Sequence, residues 1–282
     1  MGKVERRNEE MEEKAMSDPV GSTIDRRAFI KMGALVGAGT ITSYGLTLLP
    51  TIQKERERPG SSDSKDYKPT WRMIIDPSKC AKDCEDCITA CRKENNVHED
   101  LFWIRKATIV REMANGQKLE VTAPMLCNQC DNPPCHQVCP VDATFIRPDD
   151  IVDVDKHRCI GCRYCVIGCP YDVRVFNFYE NPAKMADENV NPIYPIRMHG
   201  VAESCNFCDH RIDKALYAGK EPITACAEAC KDAGHSAIVF GDMKKPNSPV
   251  SIKITELAKN KVMLKGLRED LGLKPKVLYV GL

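Results

Sequence analysis

The placement of the cysteines constrains this chain more than any other feature of its sequence. The 282 residues include 16 cysteines, which form four runs of four. In chain order the runs are Cys80, Cys84, Cys87 and Cys91; Cys127, Cys130, Cys135 and Cys139; Cys159, Cys162, Cys165 and Cys169; and Cys205, Cys208, Cys226 and Cys230. Disulfides would not require so many cysteines so close together. The runs therefore predict metal centres with sulfur ligands.

The spacing within the runs indicates the kind of centre. The third run leaves two, two and three residues between its cysteines and is followed by Pro170, which is the pattern of bacterial ferredoxins. A tightly curled chain can bring three thiolates onto one cubane while its backbone N–H groups point at the sulfides. The sixteen cysteines therefore predict four [4Fe–4S] clusters.

The fourth cysteine of each run lies one helical turn further on and should point toward a neighbouring cubane. Each cluster then takes three ligands from one run and the fourth from another. The expected ligand sets are Cys80, Cys84, Cys87 and Cys230; Cys205, Cys208, Cys226 and Cys91; Cys127, Cys130, Cys135 and Cys169; and Cys159, Cys162, Cys165 and Cys139.

Other centres and other chemistry are weaker interpretations of the same residues. Zinc ribbons use two Cys-x2-Cys pairs with a long spacer, and only the fourth run is similar to that. The six histidines are scattered, and none is expected as a ligand. The sequence shows no nucleophile–base pair and no phosphate-binding glycine loop, so no catalytic residue is predicted.

The composition agrees with a fold that depends on cofactors. Hydrophobic residues make up 43% of the chain, but this figure counts the cysteines, and aromatic residues make up only 6%. Cluster binding adds to the free energy of folding because the unfolded chain does not bind clusters. The formal net charge of +1 offers no basic surface for nucleic acid.

The first 53 residues predict export. A charged lead is followed by Arg26 and Arg27 and then by an apolar, glycine-containing stretch from Met32 to about Gln53, which is typical of a twin-arginine signal. A buried helix beside a chance arginine pair is the alternative. The stretch is long enough to span a bilayer and lacks a small-x-small cleavage site, so an uncleaved membrane anchor stays open. Residues 54–70 are expected to be a polar linker.

The remaining residues predict an α+β fold of two interleaved bacterial-ferredoxin-like modules with short strands, hairpins and long loops. Strands are expected near 71–76, 101–111, 117–121, 173–178 and 237–242, and Pro148-Asp149-Asp150 predicts a hairpin turn. An inner two-cluster module (126–179) would be inserted between the halves (71–125 and 180–245) of an outer one. Residues 71–245 form the predicted four-cluster domain, and 246–282 a C-terminal helix and tail.

The four-run layout resembles the four-cluster iron–sulfur subunits of membrane-associated respiratory oxidoreductases. More narrowly, the twin-arginine start, the Asn-Pro-Ile-Tyr-Pro-Ile-Arg segment before the fourth run and the Lys-Pro-Lys-Val-Leu-Tyr-Val-Gly-Leu ending are similar to the exported subunit of the menaquinol redox complex associated with dissimilatory sulfite reductase. This resemblance implies a non-catalytic relay of electrons at the extracytoplasmic, periplasmic face of the cytoplasmic membrane. It implies a polytopic quinol-interacting membrane subunit as one partner, and a multihaem cytochrome c or a molybdopterin subunit as another.

Three other functions remain open. Within the same resemblance, the chain would serve a molybdopterin oxidoreductase of the polysulfide, tetrathionate or dimethyl sulfoxide reductase type. A catalytic iron–sulfur enzyme would need an open iron, which four complete cysteine quartets argue against. A zinc-stabilised scaffold would be colourless, so a visible spectrum separates it from the others.

Overall fold

A computed structural model describes residues 67–81, 83–112, 116–179, 190–194 and 199–281. The twin-arginine segment, the apolar stretch after it and most of the expected linker lie outside these residues. The described residues belong to one compact unit, Pro59–Leu282. No helix in these ranges has the length and hydropathy needed to cross a bilayer.

A four-stranded sheet holds the two ends of the described chain together. Strand β1 (Trp71–Ile75) lies in its interior, antiparallel to β8 (Ile238–Asp242) and parallel to β10 (Val277–Val280), which also pairs with β9 (Leu264–Gly266). Four of the five β1 residues are buried, as expected for an interior strand with both edges paired.

The C-terminal residues are part of this sheet. Helix Pro249–Lys259 buries Val250 and Leu257 against Ile74 of β1. Because β10 occupies the other edge of β1, the expected boundary at residue 245 falls inside one packed unit. The residues that follow this helix contribute two strands, β9 and β10, to the sheet.

Three two-stranded antiparallel sheets lie in the chain between consecutive cysteine runs. The antiparallel pairs are β2 (Ile104–Glu112) with β3 (Lys118–Leu126), β4 (Thr144–Ile146) with β5 (Val152–Val154), and β6 (Val175–Phe176) with β7 (Ala202–Glu203). Asp150, in the predicted turn of the second pair, has a left-handed φ of 63°, which Asp tolerates better than most residues. The expected strand over 173–178 pairs only through Val175 and Phe176.

Short helices present many of the cysteines. The remaining helices, numbered in chain order, are α1 (Asp86–Glu94), α2 (Pro134–Gln137), α3 (Tyr164–Ile167), α4 (Asp209–Tyr217) and α5 (Ala225–Asp232). Helix α2 begins with a proline, whose fixed φ suits the first turn. Helix α5 is capped by Thr224, whose hydroxyl accepts a hydrogen bond from Ala227 N at 3.4 Å.

Buried polar groups join residues 126–179 to the rest of the unit. The side chain of Gln129 donates to Val152 O at 3.0 Å and to Cys205 O at 2.7 Å, and it accepts from Val152 N at 2.6 Å. Arg147 pairs with Asp209 of α4 at 2.9 Å. Because an unpaired buried backbone group is costly, Gln129 fixes the position of one segment against the other.

Candidate iron–sulfur sites

The fold gathers the sixteen cysteines into four quartets, and none of these residues forms a disulfide. Each quartet combines three cysteines of one run with the fourth cysteine of another. We number the sites by the run that contributes three: site 1 is Cys80, Cys84, Cys87 and Cys230; site 2 is Cys127, Cys130, Cys135 and Cys169; site 3 is Cys139, Cys159, Cys162 and Cys165; and site 4 is Cys91, Cys205, Cys208 and Cys226.

Site 1 lies between the start of α1 and the loop after α5. Its four cysteines line one cavity together with His235 and Ile238. Burial, followed by the other thiols of the site, raises the pKa of Cys87 to about 12. The backbone N–H of Ala237 donates to Cys230 Sγ at 3.2 Å, so this sulfur has a backbone hydrogen-bond donor in the folded chain.

Site 4 is the most enclosed quartet, since all four of its cysteines are buried. Burial, followed by its neighbouring thiols, raises the pKa of Cys226 to about 12. Asn95, immediately after α1, donates its side-chain amide to Cys91 Sγ at 3.6 Å and to Cys208 Sγ at 3.8 Å. Cys208 itself has a left-handed φ of 53°, which turns the chain into α4.

Site 2 lies beneath α2 and beside the turn that follows the third run. Burial, followed by the thiol of Cys135, raises the pKa of Cys130 to about 11. Cys169 comes from the end of the third run and faces the same cavity, which is also lined by Tyr171 and Arg174.

Site 3 lies nearest the surface, because Cys162 is the one exposed cysteine of the sixteen. Burial acts to raise the pKa of Cys139, but backbone N–H groups prevail and lower it. Two of them, from Ala143 and Thr144, lie 3.2 and 3.5 Å from Cys139 Sγ. Gly161 has a φ of +72°, and a Cβ there would lie 2.5 Å from Gly200 O.

The donor sets fit iron–sulfur clusters. Most of the buried thiols have raised pKa values and would stay neutral without a cation, whereas a bound metal deprotonates its thiol ligands. Three of the quartets, at sites 1, 2 and 3, each line a small cavity of their own. Four sulfur donors at each of four places match the ligand set of four [4Fe–4S] clusters.

Electrostatic contacts between quartets give their order. The thiol of Cys87 at site 1 acts to raise the pKa of Cys226 at site 4. The thiol of Cys127 at site 2 likewise acts to raise the pKa of Cys205 at site 4. The thiol of Cys165 at site 3 in turn acts to raise the pKa of Cys135 at site 2. The four sites therefore follow one another as 1, 4, 2 and 3.

Sequence reasoning missed the buried polar side chains around the quartets. Asn95, Gln129 and Arg174 are at most 2% exposed, and each contacts a residue of a cysteine run. Arg174 had a local signal, because it is a charged residue inside an apolar stretch, Val173 to Phe176. Asn95 had none, since the sulfur that it reaches at site 4 is 113 residues away.

Known proteins are similar to this chain over most of its length. The chain is 40% identical to the Hdr-like menaquinol oxidoreductase iron-sulfur subunit 1 of Archaeoglobus fulgidus, over 92% of this chain and 98% of that protein. It is 36% identical to the menaquinone reductase iron-sulfur cluster-binding subunit of Nitratidesulfovibrio vulgaris (78% and 91%). It is 35% identical to a tetrathionate reductase subunit of Salmonella typhimurium (86% and 85%).

A family described as a 4Fe-4S dicluster domain matches residues 120–187. This range contains the whole second and third cysteine runs. The prediction of [4Fe–4S] cofactors is confirmed, and with four cysteine quartets the chain carries four clusters.

Proposed function

The chain belongs to the family of electron-transfer iron–sulfur subunits of respiratory oxidoreductases, and from that premise we propose a specific path for its electrons. Sites 1, 4, 2 and 3, in this order, would each hold one cluster through the four cysteines that define the site. When bound, each cluster accepts and releases one electron. The protein itself spaces the clusters, shields them from water and sets their potentials.

The observation that carries this proposal is the pattern of exposure along the row. The middle of the row is closed, because all four cysteines of site 4 and three of those of site 2 are buried. Both ends approach the surface: Cys80 and Cys84 are half-buried at site 1, and Cys162 is exposed at site 3. A relay needs this arrangement, since electrons must enter and leave at its ends.

The modular arrangement expected from the sequence belongs to the same proposal. Sites 2 and 3 would form the inner two-cluster module (126–179), and sites 1 and 4 the outer one (71–125 and 180–245). The pairing of β1 with β8 supports this, because it joins the two outer segments across the inner one. We extend the outer module to residue 281, since β10 completes its sheet.

For partners, we infer a polytopic quinol-interacting membrane subunit at one end and a second redox subunit at the other. The names of two relatives, which contain menaquinol and menaquinone, support the first partner. A complex of sulfite or sulfur respiration is the leading assignment. A molybdopterin oxidoreductase is the second, favoured by the likeness to the tetrathionate reductase subunit. In either case the chain would act without a substrate site of its own.

For location, we propose the extracytoplasmic face of the cytoplasmic membrane, reached through the twin-arginine signal at Arg26 and Arg27. Cluster loading in the cytoplasm before export agrees with the sixteen cysteine ligands, because thiolates already bound to a cluster would be protected from oxidation outside the cytoplasm. Changing both arginines to lysine should leave the loaded protein in the cytoplasm. An N-terminus well after residue 50 in the mature protein would exclude the anchor while leaving export intact.

The relay is tested by interrupting its closed middle. In the complex purified anaerobically from native membranes, a menaquinol analogue should reduce all four clusters. Cys208→Ser at site 4 should leave clusters on the far side of site 4 unreduced by quinol, although dithionite still reduces them. Cys84→Ser and Cys162→Ser, at the two ends of the row, are the matched controls: the variant at the end away from the quinol-interacting subunit should leave quinol reduction of the other three clusters intact. Full quinol reduction of the Cys208→Ser complex would contradict the proposed order.

A further inference from the structure

One arginine lies among the sulfur atoms of two sites. Arg174 is 2% exposed, and its Nη1 donates to Thr144 Oγ1 at 3.0 Å. Its Nε and Nη2 are also buried, and neither has a hydrogen-bond acceptor among the described residues. Burying a guanidinium is costly unless a negative charge compensates it. The structure must therefore provide a compensating charge close to this side chain.

The groups that act most strongly on this guanidinium are thiols. They are Cys135 and Cys127 of site 2 and Cys165 of site 3. Arg174 lines the cavity of site 2, and its hydrogen-bond partner Thr144 lines the cavity of site 3. The side chain is therefore shared between two neighbouring sites, whereas no thiol of site 1 or site 4 is among its strongest contacts.

A loaded site supplies the missing charge. Four thiolates outweigh the charge of an oxidised cluster core, so each site carries a net charge of about −2, and reduction adds one more negative charge. Building on the ligand sets proposed above, we propose that Arg174 is the common counter-charge of sites 2 and 3 and raises the reduction potential of both. It is a positioning and tuning residue, because it ligates no iron.

The chemistry of the step is an electron transfer alone. Reduction moves one electron from a neighbouring reduced site, or from an external reductant, onto the cluster, and no bond forms or breaks. A fixed buried cation stabilises the more negative, reduced state without taking up a proton. Coulomb energy falls with distance and with solvent exposure. The reduction potentials of sites 1 and 4 should therefore depend on the charge of Arg174 much less than those of sites 2 and 3.

The test is a redox titration of the full chain followed by electron paramagnetic resonance. Signals of sites 1 and 3 are first assigned with Cys84→Ser and Cys162→Ser. In Arg174→Met the equilibrium constant for reduction of two clusters, one of them at site 3, should fall about tenfold. This corresponds to a midpoint potential lower by about 59 mV for one electron. Arg174→Lys retains the charge and should restore most of that shift. Arg268→Met removes one charge from a side chain that is 54% exposed and should shift no cluster.

Iron analysis separates failure of this inference from failure of the proposed function. Fewer than about sixteen irons in the wild-type chain would contradict the ligand sets themselves. With sixteen irons present, equal potentials in Arg174→Met and wild type would overturn the role of Arg174, as would an equal shift at all four sites. If Arg174→Met loses about half its iron while Arg174→Lys retains it, the charge is needed at two sites and the inference stands. Loss of all iron in both variants would reveal a packing role and overturn it.

Discussion

The side-chain amide of Asn95 lies 3.8 Å from Cys208 Sγ, although 113 residues separate them in the chain. The same amide nitrogen lies 3.6 Å from Cys91 Sγ. Asn95 is 1% exposed, so water does not compete for these contacts. One amide therefore reaches two sulfur atoms that come from opposite halves of the outer segments.

Replacing this amide should change the potential of one cluster. N–H groups directed at ligand sulfur stabilise the reduced state, so Asn95→Leu should lower the potential of the cluster at site 4. The stability lost should be only about 1 kcal/mol, because the amide is neutral. Asn177→Leu removes a buried amide that bonds Glu203 at 3.2 Å and should leave all potentials unchanged. An unchanged midpoint in Asn95→Leu would contradict the interpretation.

Thiol labelling can test the sharing of ligands between runs. In Cys91→Ser the cluster at site 4 should become labile, and anaerobic alkylation should then modify Cys205, Cys208 and Cys226. Cys80, Cys84 and Cys87 should stay protected, although they belong to the same run as Cys91. Mass spectrometry of the peptides distinguishes the two groups.

The matched variant for this experiment is Cys169→Ser, which should expose Cys127, Cys130 and Cys135 of the second run rather than the other cysteines of its own run. Alkylation of Cys80, Cys84 and Cys87 in Cys91→Ser would mean that the first run closes its own cluster. That outcome would contradict the ligand sets of both site 1 and site 4.

Gly161 should be required for assembly at site 3. A side chain there would be strained by the φ of +72° and would lie 2.5 Å from Gly200 O, so the backbone would have to move. We expect Gly161→Ala to cost about 1–3 kcal/mol and to lose iron from site 3 first. Gly116→Ala is a matched control, because its φ is +77° and no atom lies within 4 Å of the added Cβ. Equal iron content in the two variants would show that the close approach is unimportant.

Gln129→Leu should destabilise the whole unit. The substitution leaves Val152 N, Val152 O and Cys205 O without their side-chain partner in a buried position, which should cost about 2–4 kcal/mol. Gln137→Leu is the control, since its bond to Asn132 is exposed. Anaerobic thermal unfolding, followed by circular dichroism and cluster absorption, should show a lower midpoint for Gln129→Leu alone.

The parts of the fold that were predictable from sequence depend on local signals. The hairpin at 144–154 follows from its turn residues, and strand 71–75 from its run of apolar residues. The parallel pairing of β1 with β10 has no such signal, because it joins residues about 200 positions apart and depends on packing of the whole unit.

The candidate sites divide in the same way. The cysteines themselves are evident from spacing, and their ligand sets remain a prediction that the observed quartets support. Asn95, Gln129 and Arg174 could not be assigned, because their contacts depend on which distant segments meet. Arg174 illustrates this: a charged residue beside buried valines predicts an outward-facing side chain unless the clusters on its other side are known.

The position of β10 has a consequence for synthesis of the protein. Strand β1 emerges from the ribosome early but obtains its parallel neighbour only when Val277–Val280 have been made. All sixteen cysteines are translated before that point, so iron–sulfur assembly can begin while one edge of β1 is still open. The export of the folded chain proposed above would then depend on a step that involves no cysteine, the closure of the sheet by its last strand.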